Sequence, residues 1–476
     1  MREILLRLAL GINYFSLFYV LLISSIYLIQ LISAAAGLRK YTRSLKYTDY
    51  MRFVDSSNMV PISVLVPAYN EAATIVDNVR NLLSLDFPEY EVIVVNDGSS
   101  DDTLALLQEA FRLVPVHQPY RRVLPTKEVR AVYRSAVSPG LVVVDKENGG
   151  KADALNAGIN LSMYPVFVSI DADSILENSS LIKIVYTFMN DPSCIAVGGI
   201  VRIGSGCEIV NGQLRGIDLS RSPLLMLQTN EYLRAFLTGR IGFNQMGMLL
   251  IISGAFGAFQ KQAVIEAGGY TVGCIGEDME LVVRLHELMH RKKREYTIKF
   301  LPDPVCWTQP PATLHDLKKQ RMRWHIGLID TLLRHRSMAF NPRYGRVGLL
   351  CLPYFWIFEL FGPVFETAGY VFVPISWALG IVNVHFMVSF FIVAMLYGTI
   401  LSVGALLLEE NTFRKYPRAG QVLRLFFYAI IDNLGYRQLN TIYKVEAMFV
   451  FRRRRSSWGS IRRRGFAKDS KSGHGV

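Results

Sequence analysis

The sequence predicts an α/β domain, built on a largely parallel sheet, set between α-helical transmembrane segments on both sides. Three observations carry that expectation. The chain of 476 residues is 51% hydrophobic with a mean hydropathy of +0.25, too apolar for an ordinary soluble enzyme, so part of it belongs in a bilayer. Between Pro61 and about Pro304, short apolar runs end in polar turns that open helical patterns. That alternation, repeated, predicts parallel strands with their loops gathered at one edge. Finally, the run Val166-Phe167-Val168-Ser169-Ile170 ends in Asp171-Ala172-Asp173. It reads as a buried strand delivering two carboxylates to the edge where open α/β sheets collect ligands.

Taken in order, Leu8 to Gly37 is almost uncharged and long enough for a hydrocarbon core that needs ~20 apolar residues. It is too long for the apolar part of a signal peptide, and Ala34-Ala35-Ala36 leads directly into basic residues. Arg39, Lys40, Arg43, Lys46 and Arg52 follow. The positive-inside tendency places the next domain in the cytoplasm with the N-terminus outside. The formal charge of +13 is uneven: Arg452 to Val476 holds nine Lys/Arg against one Asp. Beside membrane spans, such a tail reads as a cytoplasmic anchor on anionic lipid rather than as a nucleic-acid surface. The five cysteines, Cys194, Cys207, Cys274, Cys306 and Cys351, have neither a CxxC pair nor metal-ligand spacing. Neither a zinc site nor a disulfide framework is indicated.

Strand Ile62 to Val66 runs into Pro67-Ala68-Tyr69-Asn70-Glu71, and Ile75, Val79, Leu82 and Leu83 then mark one face of a helix. Strand Val92 to Val95 ends in Asn96-Asp97-Gly98-Ser99-Ser100-Asp101, where Asp97 is placed to meet a ligand and Asp101 to shape the turn and cap the next helix. Phe111 to Ser138, rich in Pro, Arg and Tyr, has no clean period and reads as an insertion. Strand Leu141 to Val144 leads to Gly149-Gly150-Lys151, where backbone amides can approach an anion and Lys151 adds a point charge. This is not Walker spacing, which disfavours an ATPase.

Further on come a strand at Ile195 to Val201, a long mixed helix around Leu219 to Leu237, and the small-residue run Ser253 to Phe259, which leaves room for a bulky acceptor. Gly276-Glu277-Asp278-Met279-Glu280 opens a helix. Its three acids raise one another's proton affinity, a property a general base exploits. His315 to His335 is a basic amphipathic helix suited to a membrane interface, on which Gln320, Arg323 and Trp324 share a face.

Beyond Arg346 the chain returns to apolar segments. Val347 to Val382 suffices for two short spans, or for one span plus an interfacial helix. Its Glu359 and Glu366 are expected to face protein or a polar channel rather than lipid. His385 to Leu408 is a clean span, and Val422 to Ile442, broken by Arg424, Asp432 and Arg437, a poor one. An even number of C-terminal crossings keeps the α/β domain and the basic tail on one side.

These residues together resemble the family 2 glycosyltransferases, and among them the membrane-embedded processive β-glycosyltransferases such as poly-N-acetylglucosamine, hyaluronan, chitin and cellulose synthases. Five signals occur in family order: Pro67-Ala68-Tyr69-Asn70-Glu71, Asp97-Gly98, Asp171-x-Asp173, Glu277-Asp278 and Gln320-Arg321-x-Arg323-Trp324. The resemblance implies a Rossmann-like GT-A domain. Within it, Asp97 would contact the uracil or ribose, while Tyr69 and Glu71 line the nucleotide pocket. Lys151 would approach the diphosphate, Asp171 and Asp173 would serve the sugar diphosphate and a Mg²⁺ or Mn²⁺ ion, and Asp278 would be the base. Gln320, Arg323 and Trp324 would bind the diphosphate and the acceptor end of the glycan. Gly276 stands where many members have Thr.

The implied organisation is an N-terminal transmembrane helix (1–37), a basic cytoplasmic linker (38–60), a GT-A catalytic domain (61–310), an amphipathic interfacial region (311–346), a transmembrane bundle (347–445) and a basic cytoplasmic tail (446–476). The implied activity is inverting, processive transfer from a UDP-sugar, UDP-N-acetylglucosamine before UDP-glucose, to a growing exopolysaccharide that is passed across the plasma membrane. The alternative is a non-processive enzyme making a glycolipid or lipid-linked sugar. Partners are then the UDP-sugar, a glycan or lipid acceptor, membrane lipids, and accessory secretion or regulatory proteins, with no nucleic acid.

Overall fold

The computed structural model describes residues 2–45, 50, 59–210, 213–416 and 418–454. Among these residues the chain divides into two compact units: 40–221 with 247–310, and 2–39 with 222–246 and 311–454.

The first unit is organised on a ten-stranded sheet of order β3-β4-β5-β2-β1-β6-β11-β8-β12-β7. Its strands are β1 (Ile62–Ala68), β2 (Tyr90–Asp97), β3 (Leu113–Val116), β4 (Val129–Ser135), β5 (Leu141–Lys146), β6 (Val166–Ile170), β7 (Ile175–Leu176), β8 (Cys194–Ile203), β11 (Phe256–Gln260) and β12 (Thr297–Thr308); a separate hairpin pairs β9 (Glu208–Val210) with β10 (Gln213–Gly216). The centre, β5-β2-β1-β6, is parallel. These strands read as largely apolar runs because both faces of a parallel sheet are covered, and Val64, Leu65, Val94, Val143 and Val168 are indeed buried. Parallel direction brings the ends of β1, β2, β5 and β6 to one edge, where Tyr69, Glu71, Asp97, Lys151, Asp171 and Asp173 lie.

Two details go beyond the sequence pattern. Residues 111–138, where no clean period is visible, contain two strands: β4 pairs antiparallel with β5, and β3 antiparallel with β4. Their pattern escapes a periodicity reading because β4 has no wholly apolar face: Arg130 and Arg134 share one with buried Val132, and buried Ser135 joins Ala131 and Tyr133 on the other. The small-residue run contains a strand, β11, antiparallel to both β6 and β8. The sheet is therefore mixed.

In the second unit, the helix Arg2–Leu45 continues past the expected end of the span at Gly37 and takes in the first residues of the basic linker. Residues 46–49 and 51–58 of that linker, and 455–476 of the basic tail, lie outside the described residues. The mixed helix begins later and runs further than expected, from Pro223 to Leu233 and on through wider π-type turns to Gln245. Among the described residues three helices are long and apolar enough to cross a membrane: Ala9–Leu45, Val347–Ala378 and Val384–Thr412. The weakly apolar stretch after Val422 is a broken helix, Ala419–Ile431 and Arg437–Arg454, with non-helical backbone at Leu434 and Gly435.

Several charges in this unit are matched within the protein, which offsets the cost of burying them. Asp432 meets Arg234 at 2.6 Å, and Glu366 meets Arg437 at 3.3 Å and Thr441. Glu359 accepts the Tyr354 hydroxyl at 2.8 Å.

Candidate active site

The loops that follow β1 and β2 are knitted together. Asn70 adopts a left-handed backbone, φ 56°, its amide donates to Ser99 Oγ, and its side chain accepts from Ser100 N. The Glu71 amide donates to Thr103 Oγ1, and Asp101 accepts from Ala72 N and Thr103 N. Asp101 thus shapes the turn, as its position suggested. Tyr69 projects from this loop, 51% exposed, and the Glu71 carboxylate accepts Thr74 Oγ1 at 3.1 Å.

Asp97, at the end of β2, is buried. Its carboxylate accepts Lys146 Nζ at 2.5 Å, Gly149 N at 3.0 Å and Gly150 N at 2.7 Å. The anion that meets the two glycine amides is therefore Asp97 itself. A Cβ on Gly149 would fall 2.5 Å from the Asp153 side chain, so this turn admits no larger residue without moving it. Lys146, fully buried, also lies 2.7 Å from Asp153. Sequence reasoning assigned Lys146 no role. Its partner is visible only in the register that sets Asp97 opposite Lys146 across β2 and β5.

Lys151 opens the helix Lys151–Leu161 directly after this turn. Its ammonium sits 2.5 Å from Asp171 Oδ1, 3.1 Å from the Gly254 carbonyl oxygen and 3.8 Å from Glu277 Oε1. Burial works against its charged form, but Asp171, Glu277 and Asp278 outweigh it and hold the pKa above the ordinary lysine value. Gly254 reaches this point because β11 runs antiparallel: Phe256 pairs with Ile170, so the residues just before β11 lie beside Asp171.

Asp278 stands in the first turn of the helix Glu277–Lys292. Its Oδ2 accepts Gly254 N at 2.9 Å and its Oδ1 accepts Met279 N at 2.8 Å. Two backbone donors hold the carboxylate in one orientation. Lys151, Ser169, Gly254, Tyr270, Glu277 and Asp278 line a common small cleft. Glu280 is turned away into a pair with Arg284 at 2.9 Å and accepts the Thr271 hydroxyl. The three neighbouring acids therefore have three different settings.

Among the described residues no group of three or more His, Cys, Asp or Glu side chains converges as a metal cage. Asp171, with a side chain 26% exposed, and buried Asp173 supply two hard carboxylates beyond one strand end. That donor set suits a Mg²⁺-like ion, which keeps waters and takes substrate phosphate oxygens as further ligands.

Gln320, Arg323 and Trp324 belong to the other unit, on the helix Leu314–Arg334, whose N-terminus Thr313 caps by accepting Asp316 N. Gln320 and Arg323 are half-buried and Trp324 is 47% exposed. Their basic neighbour Arg321 is turned inward and pairs with Glu231 at 2.8 Å.

Residues 60–327 match the family model described as glycosyltransferase like family 2. A poly-β-1,6-N-acetyl-D-glucosamine synthase of Staphylococcus aureus is 32% identical over 298 residues, covering 62% of this chain and 61% of that protein. The Staphylococcus epidermidis enzyme of the same name is 32% identical over 276 residues, 57% of this chain and 56% of its own. The chain thus spans about three-fifths of the length of these relatives. Among solved structures, a mannosyltransferase from Pyrobaculum calidifontis in complex with GDP-Man and Mn²⁺ aligns over 87% of this chain and 99% of its own, with 17% identity and a TM-score of 0.49.

Proposed function

The chain belongs to the family 2 glycosyltransferases, and from that premise we propose that it is an inverting, processive β-glycosyltransferase. It builds a polysaccharide from a UDP-sugar, with UDP-N-acetylglucosamine the first choice and UDP-glucose the second. The observation that carries the reading is the cleft in which Lys151 pairs with Asp171 at 2.5 Å while Asp278 is oriented on the Gly254 amide at 2.9 Å. That proximity supports a reading in which Lys151 would be the cation for a departing diphosphate and Asp278 the base for an incoming hydroxyl. The similarity to the poly-β-1,6-N-acetyl-D-glucosamine synthases supports the choice of sugar.

In the proposed reaction Asp278 takes the proton of the acceptor hydroxyl as its oxygen attacks the anomeric carbon from the face opposite the leaving group. The new C–O bond forms as the bond to the diphosphate breaks, and the centre inverts. Lys151 compensates charge that builds on the diphosphate, an effect worth most where water is excluded. Asp171 and Asp173 would hold the Mg²⁺ or Mn²⁺ ion, whose chemistry when bound is charge neutralisation at the phosphates. Tyr69 and Glu71, on the loop after β1, would line the nucleotide pocket. Asp97 would serve that pocket by fixing the Gly149–Gly150 turn. Gln320 and Arg323 would meet the diphosphate, and Trp324 offers a flat face to the acceptor sugar.

The three apolar helices are long enough to embed the chain in a membrane. We place it in the plasma membrane with residues 61–310 and 446–476 cytoplasmic, and with the bundle of 347–445 passing the glycan outward. Accessory secretion or regulatory proteins are natural partners for such export.

The test is incubation of the full chain, in membranes or nanodiscs, with labelled UDP-N-acetylglucosamine, UDP-glucose and other UDP-sugars, followed by sizing of the product. Long polymer from UDP-N-acetylglucosamine is the expected result. A single sugar on a lipid replaces the processive reading with the glycolipid one. Transfer from no UDP-sugar overturns both.

A further inference from the structure

Trp324 is 47% exposed, and two residues of its own unit, Arg321 and Tyr232, approach its ring. The Arg321 guanidinium, one turn earlier on the same helix and 2% exposed, has its central carbon 4.3 Å from the centre of the Trp324 ring. Arg321 Nη2 donates to Glu231 Oε2 at 2.8 Å. The same oxygen accepts the Tyr436 hydroxyl at 2.6 Å. Glu231 comes from the helix Pro223–Leu233, whose Tyr232 ring also approaches Trp324, with ring centres 6.4 Å apart. Tyr436 comes from the break that precedes the helix Arg437–Arg454.

A guanidinium is a planar fork on a long flexible stem, and its plane is free until a carboxylate fixes it. Once fixed, the plane is the surface against which an indole packs. Glu231 is held in turn by Tyr436, so the orientation of Trp324 is set by elements far from it in sequence.

We infer that Glu231 is a positioning residue for Trp324: acting through Arg321, it sets the angle at which the exposed indole is presented to the terminal sugar of the acceptor. The inference rests on the reading above that Trp324 receives the acceptor. Glu231→Gln keeps the shape but removes the charge that fixes the guanidinium, and Arg321→Lys removes the plane.

The experiment labels the full chain in nanodiscs with 5-fluorotryptophan and follows ¹⁹F resonances. The chain has five tryptophans, and loss of one resonance in Trp324→Phe assigns residue 324. Glu231→Gln is expected to shift or broaden that resonance and leave the other four in place. In parallel, KM for an acceptor oligosaccharide should rise about tenfold, with kcat and the UDP-sugar KM within about twofold, the pattern of a lost binding interaction. Should Glu231→Gln fail to fold, Tyr436→Phe, which removes one bond to Glu231, should move the same resonance by less.

An unmoved Trp324 resonance in both variants overturns the inference. So does an unchanged acceptor KM in Glu231→Gln when Trp324→Ala raises it. A moved resonance combined with no acceptor effect in Trp324→Ala upholds the link from Glu231 to Trp324 and overturns only the acceptor reading of that tryptophan.

Discussion

Lys146 and Asp97 form an ion pair of 2.5 Å from which solvent is excluded on both sides, their side chains being 0% and 3% exposed. The pair sits one step behind the cleft, and the Asp97 carboxylate carries the turn that launches Lys151. Lys146→Met would strand Asp97 and Asp153 without their cation. Breaking a buried pair by removing one partner costs about 3–5 kcal/mol, so the full chain should unfold at markedly lower temperature. Thermal unfolding in detergent, compared with that of the parent, checks it.

Asp278→Asn keeps the size of the side chain and one of its two contacts with a backbone N–H, the amide nitrogen being unable to accept the other, while removing the capacity to accept a proton. General-base catalysis contributes roughly 10²–10⁴-fold, and transfer should slow by that order with UDP-sugar affinity nearly unchanged. Glu277→Gln and Glu280→Gln should lose much less. Retained transfer in Asp278→Asn with a dead Glu277→Gln would move the base by one residue.

Activity should require a divalent cation and vanish in Asp173→Ala without loss of the fold. Turnover with Mg²⁺ or Mn²⁺ returned after chelation, set beside the unfolding temperature of the variant, measures both halves. Full turnover in excess chelator would rule the ion out.

His286 provides a pH dependence. It is buried, its Nε2 2.9 Å from the Leu249 carbonyl oxygen and its Nδ1 2.6 Å from the Tyr296 hydroxyl, and burial holds its pKa down to about 4. Between pH ~6.5 and ~4 the unfolded chain binds a proton that the folded chain refuses, so stability falls as pH falls through that window, by up to about 3 kcal/mol. His286→Gln should flatten this loss, as read from unfolding midpoints at pH 7 and pH 4.5 in parent and variant.

The basic tail should face the cytoplasm. All five native cysteines are buried, so a Ser470→Cys variant offers one reactive thiol on a quiet background. A membrane-impermeant reagent should label it only after the cells are opened. Labelling in intact cells would reverse the topology.

How far the sequence discloses these features depends on where the cause of each one lies. β1, β2 and β6 are legible because a parallel strand buried on both faces must be apolar throughout, and Asp171 and Asp278 are legible because each follows a recognisable strand end or helix start. The direction of β11 is not legible: nothing in Phe256 to Gln260 encodes antiparallel pairing, yet that direction brings Gly254 to Asp278 and Lys151. Arg321 shows the same limit. Helical spacing groups Gln320, Arg323 and Trp324, but the inward turn of Arg321 is decided by Glu231, 90 positions away.

The two borders of the ten-stranded sheet have a consequence for life in a membrane. One border, β3, is four residues long and contains Pro115, and the other, β7, has two residues. Short borders, one of them interrupted by a residue with no amide hydrogen, are poor templates for a strand from another molecule. Proteins confined to a surface collide far more often than the same number dispersed in a volume. An enzyme crowded among its own copies therefore gains from a sheet that declines to recruit them, and many catalytic domains can work side by side without fusing into a fibre.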